Sequence, residues 1–385
     1  MASPTYRIDT QLIHAGEPAE RILGAVSMPI FQSSTFAYGG EGSYHDLRYI
    51  RLNNTPNHLV LHRKLAALEG AEAGLVTSSG MAAISTTLLA FLSTGDHLLA
   101  QKGLYGGTHD FIAKDLPSLG IEFTFVDLDD PVQWSRHVRP TTRAFYVESI
   151  TNPLVQVGDL EAVLTFSQKH RLISMVDNTF ASPLNLSAIQ LGFDLSLHSA
   201  TKYLNGHTDI VAGVVLGRAA RVEAVKRKLD HLGGSLDPHA CFLLHRGMKT
   251  LALRVRHQNE SALSIASFLE NHPSIRKVYY PGLESHPSHA RARALLKGFG
   301  GVLSFDLQGG VAAADRLMAN LKIPICAPSL GGVETLITRP STTSHAGLSA
   351  DERRQLGISD SLIRLSVGIE ATEDLIEDFK QALVA

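Results

Sequence analysis

The sequence is poor in the features that mark secreted, membrane-spanning and nucleic-acid-binding proteins. It has only two cysteines, Cys241 and Cys326, which argues against a disulfide framework and fits a reducing compartment. Neither cysteine has the spacing of a metal ligand, so we expect no metal site. No apolar run approaches the roughly 18 residues of a membrane span. The formal net charge of −2 gives no electrostatic basis for binding nucleic acid or an anionic membrane.

The N-terminal segment MASPTYRIDTQLIHAGEPAE also lacks a long apolar core. We therefore expect no signal peptide and a cytoplasmic location. Apolar residues make up 44% of the chain and charged residues 19%, as is typical of a soluble globular protein. A chain of 385 residues is long enough for one large domain and a smaller one.

Three regions of different pattern divide the chain. Residues 1–55 are largely irregular but carry an apolar patch at 28–31, so we expect an arm that contacts a neighbouring subunit; a disordered tail is the alternative. Residues 56–245 alternate strands with helices, which predicts an α/β domain with a mainly parallel sheet. Residues 246–385 predict a smaller α+β domain. We expect one long helix, from about His239 to Asn271, at the joint.

The segment Ser199-Ala-Thr201-Lys202 connects two predicted buried strands. The two hydroxyl groups before the lysine suit a phosphate. A lysine with little solvent around it has a lowered pKa and can act as an amine nucleophile. The segment therefore fits a Schiff-base lysine that holds pyridoxal phosphate (PLP), and an exposed lysine at a strand end is the alternative.

The start of another predicted helix suits an anion. Gly80 and Met81 follow a strand and begin this helix, where free amide groups and the helix dipole favour a phosphate. The alternative is an ordinary N-cap by Ser78 or Ser79.

Three more side chains at predicted strand ends suit an aromatic ring, and open α/β sheets bind ligands at such ends. Tyr105, in a glycine-rich segment, can lie over a ring or is a turn tyrosine. Asn152 can donate to a phenolic oxygen or forms an Asn-Pro turn. Asp177 can hold a protonated heteroaromatic nitrogen or is a simple cap or strand-end carboxylate.

The second predicted domain contains a further candidate. Arg364 lies in the apolar run Leu362-Ile-Arg-Leu-Ser-Val367, where a guanidinium needs a partner. A substrate carboxylate or an internal salt bridge would supply it. Ser329, in a glycine-rich turn, can border the same pocket.

Eight motifs together resemble the PLP-dependent family that contains cystathionine γ-synthase, cystathionine γ- and β-lyase and methionine γ-lyase. They are LHSATKYLNGHTD, SSGMAA, LYGGTHD, ESITNP, VDNTFASP, HRGMKTL, SLGGVETL and LIRLSVGIE, and they cover nearly the whole chain. The resemblance implies PLP fold type I, similar to aspartate aminotransferase, with a large mainly parallel α/β/α domain and a smaller C-terminal α+β domain.

The resemblance also implies roles for the cofactor-binding residues. Lys202 would bind PLP and move protons on the substrate. The phosphate would be held by Ser199, Thr201 and the backbone of Gly80 and Met81.

The ring contacts follow in the same way. Tyr105 would stack on the ring and handle the leaving-group proton, Asp177 would pair with the pyridine nitrogen, and Asn152 would lie near the 3′-oxygen. We also count Thr179 among the cofactor-binding residues.

The resemblance extends to the substrate and to a second subunit. Arg364 and Ser329 would hold the substrate α-carboxylate. Tyr49 and Arg51 resemble a Tyr-x-Arg pair that reaches the phosphate of a neighbouring subunit, which implies a homotetramer built as a dimer of active dimers.

The implied reaction is γ- or β-elimination of cystathionine or a related sulfur amino acid to a thiol, a 2-oxo acid and ammonia. Alternatives are γ-replacement joining an activated homoserine to cysteine, methionine γ-elimination, and a binding protein that has lost catalysis. Two residues depart from cystathionine-specific relatives, which often carry acidic groups where this chain has Arg48 and Pro328. We expect Arg48, Tyr105 and Pro328 to govern the choice of reaction.

Overall fold

The computed structural model describes residues 6–40, 42–44 and 47–384. Residues 1–5, 41, 45 and 46 of the predicted arm lie outside the described residues. The first sheet holds seven strands: β1 Ala73–Thr77, β2 His97–Gln101, β3 Glu122–Val126, β4 Thr142–Glu148, β5 Ile173–Asp177, β6 Leu195–Ser199 and β7 Gly213–Gly217. The second holds five: β8 Ile275–Tyr279, β9 Val302–Leu307, β10 Ile325–Cys326, β11 Leu336–Thr338 and β12 Ile363–Ser366.

Helices surround both sheets. Those up to the end of the first sheet are α1 Ile8–His14, α2 Pro56–Glu69, α3 Gly80–Phe91, α4 Gly106–Asp110, α5 Leu116–Ser118, α6 Pro131–Trp134, α7 Leu160–His170, α8 Ser182–Asn185 and α9 Ala188–Leu191. The remainder are α10 Ala219–Leu232, α11 Pro238–Met248, α12 Leu251–Glu270, α13 His289–Leu295, α14 Gly310–Asn320, α15 Ala350–Gln355 and α16 Thr372–Val384. A π-helical turn, Phe111–Asp115, joins α4 to α5.

The first sheet is mainly parallel, as the sequence predicts. Its strand order is β1-β7-β6-β5-β4-β2-β3, and β7 alone runs antiparallel to its two neighbours. Buried side chains on one face pack with α2 and α7, and those on the other face pack with α3 and α10. The result is the α/β/α layering that the sequence predicts for the large domain. Because β2, β4, β5 and β6 are parallel, their carboxyl ends meet at one edge.

Local sequence accounts for the bounds of the helix before β1. α2 begins with Pro56, whose fixed φ suits the first turn of a helix. It ends at Gly70, which adopts the left-handed conformation with φ 67° and donates its amide to Ala66 and Ala67. The helix therefore stops where β1 must begin.

The second sheet has the order β10-β11-β12-β9-β8 and its own apolar core. Side chains from α12, α14 and α16 cover it, including the edge-to-face pair of Phe305 and Phe379. β12 lies inside this sheet, between β11 and β9, which buries Arg364.

The prediction of one continuous helix from His239 to Asn271 is wrong. The structure has two helices, α11 and α12, separated at Lys249 and Thr250. The side chain of Arg254 accompanies the break. Its guanidinium donates to the carbonyl of Gly247 at 3.0 Å and to the hydroxyl of Thr250 at 3.1 Å. A side chain therefore replaces the regular helical hydrogen bonds at this point.

Across the described ranges, no helix has both the length and the apolarity needed to cross a membrane. Within the same ranges, no three or more His, Cys, Asp or Glu side chains are grouped to hold a metal ion. Cys241 is buried and Cys326 is exposed, and both are free thiols.

Candidate active site

A cavity of about 600 Å³ lies at the carboxyl edge of the first sheet and reaches the second. It brings together all the predicted site residues except Tyr49 and Arg51. Those lining it are Gly80, Met81, Tyr105, Asn152, Asp177, Thr179, Ser199, Thr201, Lys202, Ser329 and Arg364. Residues from five strands or strand ends and from the start of α3 therefore face one space.

One end of the cavity suits an anion. The first residues of α3 line it, and Ser79 caps this helix by accepting from the Ala82 amide at 2.9 Å. The earlier amides of the turn, those of Gly80 and Met81, have no acceptor within the helix, and both residues line the cavity. A Cβ on Gly80 would lie 2.8 Å from Cβ of Ser199, so only glycine lets α3 approach the Ser199 strand this closely.

Thr201 stands beside this anion site with its hydroxyl already engaged. Its Oγ1 donates to the carbonyl of Ala212 at 3.2 Å and accepts from the Ala212 amide at 3.0 Å. These bonds join the loop after β6 to the start of β7. Thr201 therefore fixes the loop that carries Lys202, in addition to lining the cavity.

Asp177 presents one free carboxylate oxygen to the cavity. Its Oδ1 accepts from the amide of Thr179 at 3.0 Å and from the Thr179 hydroxyl, which itself accepts from the Ser199 amide at 2.8 Å. Its Oδ2 has no hydrogen-bond partner among the residues the structure describes, and Asp177 lines the cavity. Burial raises the pKa of this carboxyl, opposed by the two bonds from Thr179. A cationic partner would stabilise its ionised form.

Glu148 is a residue that the sequence analysis quoted in a motif but did not single out. It ends β4 in register with Asp177, and burial, together with the Asp177 charge, raises its pKa well above the usual value. Its Oε1 accepts from the backbone amide of Tyr105 at 2.7 Å. Glu148 therefore positions Tyr105. Its position at the end of a predicted strand is the sequence feature that could have identified it.

Tyr105 lies at the wall of the cavity, immediately before α4, and its side chain is half-exposed. A Cβ on Gly107 would lie 2.7 Å from Cε1 of the tyrosine ring. The glycine thus leaves room for the ring, in agreement with the glycine-rich segment noted in the sequence.

Lys202 reaches the middle of the cavity from the turn after β6. Its Nζ donates to Oγ of Ser329 at 2.8 Å. Burial, and after it the nearby positive charge of Arg364, lower the pKa of this amine to about 8. About a tenth of the amine is therefore unprotonated at pH 7, far more than for an ordinary lysine, and the unprotonated amine is the form that a nucleophile or proton acceptor requires.

Arg364 forms the opposite end of the cavity and is buried. One guanidinium nitrogen donates to Oδ1 of Asn152 at 3.0 Å and another to the carbonyl of Ser329 at 2.8 Å. Its Nε is buried with no hydrogen-bond partner, and no carboxylate in the described part of the chain pairs with it. The internal salt bridge considered from the sequence is thus not observed there. Burial lowers the pKa of the guanidinium to about 10.

Asn152 has a partner that the sequence did not suggest, and its contact near the 3′-oxygen of a cofactor stays a prediction. Because its Oδ1 accepts from Arg364, only the amide nitrogen is left to contact a cofactor. Asn152 therefore links the two sheets and orients Arg364.

Tyr49 and Arg51 lie outside this cavity and line a separate groove in the arm, with Arg48. Arg51 lies over the rings of Tyr44 and Tyr49, at 5.7 and 5.5 Å from their centroids, and donates to the carbonyl of Asp230 at 2.7 Å. That Tyr49 and Arg51 reach the phosphate of another subunit stays a prediction.

Comparison with known proteins agrees with this geometry. The sequence model of the family described as Cys/Met metabolism PLP-dependent enzyme matches residues 9–384. The chain belongs to this family. It is 43% identical to cystathionine γ-lyase of Bacillus subtilis (strain 168), with 97% of this chain and 98% of that protein aligned. It is 40% identical to L-methionine γ-lyase of Fusobacterium nucleatum subsp. polymorphum, with 100% and 99% aligned.

A solved structure of the same family has the same fold. It is cystathionine γ-lyase from Lactobacillus plantarum in complex with L-serine, which superposes with a TM-score of 0.94 at 38% identity. The match covers 98% of this chain and 99% of the other. The family cofactor is therefore PLP, and the predicted family and fold class are confirmed.

The residues in the cavity fit PLP on their own chemistry. The start of α3, opened by Gly80, suits the phosphate, and the free oxygen of Asp177 suits a protonated pyridine nitrogen. The amine of Lys202 suits the aldehyde, since it is half-buried with a lowered pKa. Tyr105 suits the ring face.

Proposed function

We propose that this protein is a PLP-dependent carbon–sulfur lyase that eliminates a thiol from cystathionine or a related sulfur amino acid, releasing a 2-oxo acid and ammonia. One observation carries the proposal: Lys202 lies between the cofactor-binding wall of the first sheet and the unpaired guanidinium of Arg364. The names of two relatives support it, because one is a cystathionine γ-lyase and the other an L-methionine γ-lyase.

Each end of the cavity has a separate task in this proposal. Arg364 binds the α-carboxylate of the substrate through donors that the protein leaves without an acidic partner. Ser329, which accepts from Lys202 and offers its carbonyl to Arg364, keeps the amine next to the bound carboxylate. Asp177 holds the proton on the pyridine nitrogen.

Lys202 moves protons on the substrate. Bound PLP supplies an electron sink for the carbon that loses its proton. Lys202 would take the proton from Cα and pass it on to the cofactor, which would free the same amine to take a second proton from Cβ when the leaving group is at Cγ. Tyr105 lies at the cavity wall and is our proposed donor to the departing sulfur. β-Elimination needs only the first deprotonation.

Elimination from methionine or homocysteine is the second candidate. The acidic side chains that this subunit contributes to the cavity are Glu148 and Asp177. Glu148 accepts from the backbone amide of Tyr105, and Asp177 accepts from that of Thr179 at the end proposed for the cofactor. Pro328 and Leu330 line the cavity beside Ser329. A substrate with a neutral distal group would fit such a wall without a charged partner.

A substrate panel tests the proposal. Purified holoenzyme is incubated with cystathionine, homocysteine, methionine or cysteine alone, and the products are identified by mass. We expect a 2-oxo acid and a thiol from at least one of them. Product only when an O-acyl- or O-phosphohomoserine is supplied with cysteine would instead establish γ-replacement and overturn the lyase proposal.

We also propose the assembly and the division of the chain. Residues 1–55 form an arm, 56–245 the PLP-binding domain and 246–385 the C-terminal domain. The arm contributes Tyr49 and Arg51 to a neighbouring cavity within a homotetramer, because both lie outside their own. Light scattering that gave a monomer for the active enzyme would contradict the proposed homotetramer.

We further propose a cytoplasmic location, which the two free cysteines support.

A further inference from the structure

Helix α12 passes from the apolar core of the first sheet into that of the second. Its buried apolar residues in the first core lie near its start and are Leu251, Ala252 and Val255. Those in the second core lie further along and are Ala262, Ile265, Ala266 and Leu269. An α-helix has a fixed rise of about 1.5 Å per residue. The side chains of α12 therefore hold parts of both halves of the molecule at a set spacing.

Arg254 lies in the first of these two stretches and is buried. Its Nη1 donates to the carbonyl of Tyr203 at 2.9 Å, its Nη2 to that of Gly247 at 3.0 Å and its Nε to the hydroxyl of Thr250 at 3.1 Å. All three acceptors are neutral, and burial lowers the pKa of the guanidinium to about 10. Because Tyr203 follows Lys202, Arg254 holds the turn that carries the lysine.

This turn fits closely over the guanidinium. The carbonyl of Lys202 accepts from the amide of Gly206 at 2.8 Å, which closes the turn. Gly206 has a φ of 72°, and a Cβ on it would lie 1.9 Å from Nη1 of Arg254. Only glycine leaves room for the guanidinium at this position. Arg254 therefore contacts the turn at two points, the Tyr203 carbonyl and Gly206.

The same face of α12 also reaches the second sheet's side of the cavity. Gln258 lies four residues after Arg254, about 6 Å further along the helix axis, and is fully buried. Its Nε2 donates to the carbonyl of Gly332 at 2.7 Å, at the end of the turn that begins with Ser329. Oγ of Ser329 accepts from Nζ of Lys202 at 2.8 Å. The two side chains of α12 thus hold the two turns whose side chains meet in the cavity.

We propose that Arg254 and Gln258 are positioning residues, which together fix Lys202 next to Ser329 from one face of α12. Neither lines the cavity, so each acts through the turn that it holds. The inference rests on the roles proposed for Lys202 and Ser329. It does not depend on which sulfur substrate is used or on whether the reaction is elimination or replacement.

Substitutions at Arg254 test the hold on the Lys202 turn. Arg254→Gln removes the charge and the three-way donor, and Arg254→Lys keeps the charge but replaces the planar guanidinium by a single ammonium group. Arg256→Gln removes a guanidinium that pairs with Asp9 on the exposed face of the same helix, and is the matched control. The visible absorbance that develops when PLP is added to the PLP-free, full-length protein reports on Lys202 without turnover.

We expect this absorbance to develop about 10-fold more slowly in Arg254→Gln and kcat to fall by a similar factor, because a misplacement of about 1 Å can reduce a rate by up to about 10²-fold. Arg254→Lys should lie between Arg254→Gln and the unchanged protein. KM should change by less than about twofold, since Arg364 stays in place. An unchanged rate in Arg254→Gln, or an equal loss in Arg256→Gln, would overturn the inference.

Substitution of Gln258 tests the hold on the Ser329 turn. The carbonyl of Ser329 accepts from Arg364, so a looser turn should weaken substrate binding. We expect Gln258→Leu to raise KM by about 10-fold and to reduce kcat less. Oε1 of Gln258 is buried without a partner among the described residues, so leucine also removes an unsatisfied acceptor, and the melting temperature should change little. A lowered melting temperature with an unchanged KM would show that Gln258 only stabilises the fold.

Two outcomes separate this inference from the function it rests on. If Lys202→Ala loses turnover while Arg254→Gln and Gln258→Leu behave as the unchanged protein, only the inference fails. If Lys202→Ala retains turnover, the proposed role of Lys202 fails, and the inference fails with it. Should Arg254→Gln not fold, Arg254→Lys, which keeps the buried charge, is compared with Arg256→Gln in the same two measurements.

Discussion

The two ends of the cavity are opposites in charge. At the end formed by the first sheet, the carboxylate of Asp177 is buried and has no cationic partner lining the same wall. At the end formed by the second sheet, the guanidinium of Arg364 is buried and has no carboxylate partner in the described chain. Each end therefore lacks the charge that the other carries.

This difference defines the ligands. A buried charge without a partner is unfavourable, so the molecule that fills each end must bring the missing sign. In our proposal, the protonated pyridine of PLP does so beside Asp177, and the α-carboxylate of an amino acid does so beside Arg364. Lys202 stands between them, bonded to Ser329. On this proposal, the charges of the cavity would place cofactor and substrate at opposite ends.

Removing Lys202 should affect both ends and give the largest effect. In Lys202→Ala we expect a loss of turnover of about 10³-fold or more, because the cofactor bond and the proton transfers depend on one amine. Release of 2-oxo acid from the preferred substrate measures this. Lys114→Ala, on an exposed helix surface, is the control. Turnover near that of the unchanged protein would remove Lys202 from the mechanism.

Removing the charge of Arg364 should affect the substrate end alone. We expect Arg364→Gln to reduce kcat/KM by about 10²-fold, mainly through KM, because a buried charge-assisted bond to the substrate is lost. The visible absorbance should stay close to that of the unchanged protein. Arg276→Gln, which alters an arginine half-exposed to solvent, is the matched control. An unchanged KM would count against the carboxylate role.

The arm should affect the cofactor end from another subunit. We expect Arg51→Ala to weaken PLP retention by about 10-fold, since one phosphate contact is lost. Arg48→Ala, which removes an arginine stacked over Phe36, should retain PLP normally. Cofactor remaining after dialysis is the measurement. Equal retention in both variants would indicate that the groove lined by Tyr49 and Arg51 serves a purpose other than phosphate binding.

The smallest effect concerns pH. Because the pKa of Lys202 is lowered to about 8, its unprotonated fraction in PLP-free protein rises about fivefold from pH 7 to 8 and less than twofold from pH 8 to 9. An unperturbed lysine, with a pKa of about 10.4, would gain about tenfold at each step. The rate of amine acylation at Lys202, followed by peptide mass, distinguishes the two profiles.

Much of the fold and the site could be predicted because strand ends have a clear sequence pattern. Lys202, Asp177 and Tyr105 each follow a short apolar run, and the parallel sheet gathers those ends at one edge. Gly80 was predictable from the strand-to-helix transition. The mainly parallel sheet followed from the alternation of strands with helices.

The remainder depends on contacts between residues far apart in the chain. The bond from Arg364 to Asn152 joins residues 212 positions apart, and that from His198 to Glu69 spans 129. No local pattern specifies such pairs. The break between α11 and α12 has a local cause instead, because the guanidinium of Arg254, seven positions further along the chain, donates to the carbonyl of Gly247. Apolar periodicity alone predicts one helix there.

The bond between Arg364 and Asn152 has a consequence for protein engineering. Arg364 belongs to the second sheet, and Asn152 follows a strand of the first, so the proposed substrate anchor is assembled by both halves of the molecule. In a chimera that takes its C-terminal half from a relative, the guanidinium would come from the relative and the amide of Asn152 from this protein. The affinity of such a chimera for any amino acid would then depend on how well its two halves match at this one bond, and the crossover point decides whether the two partners come from the same parent.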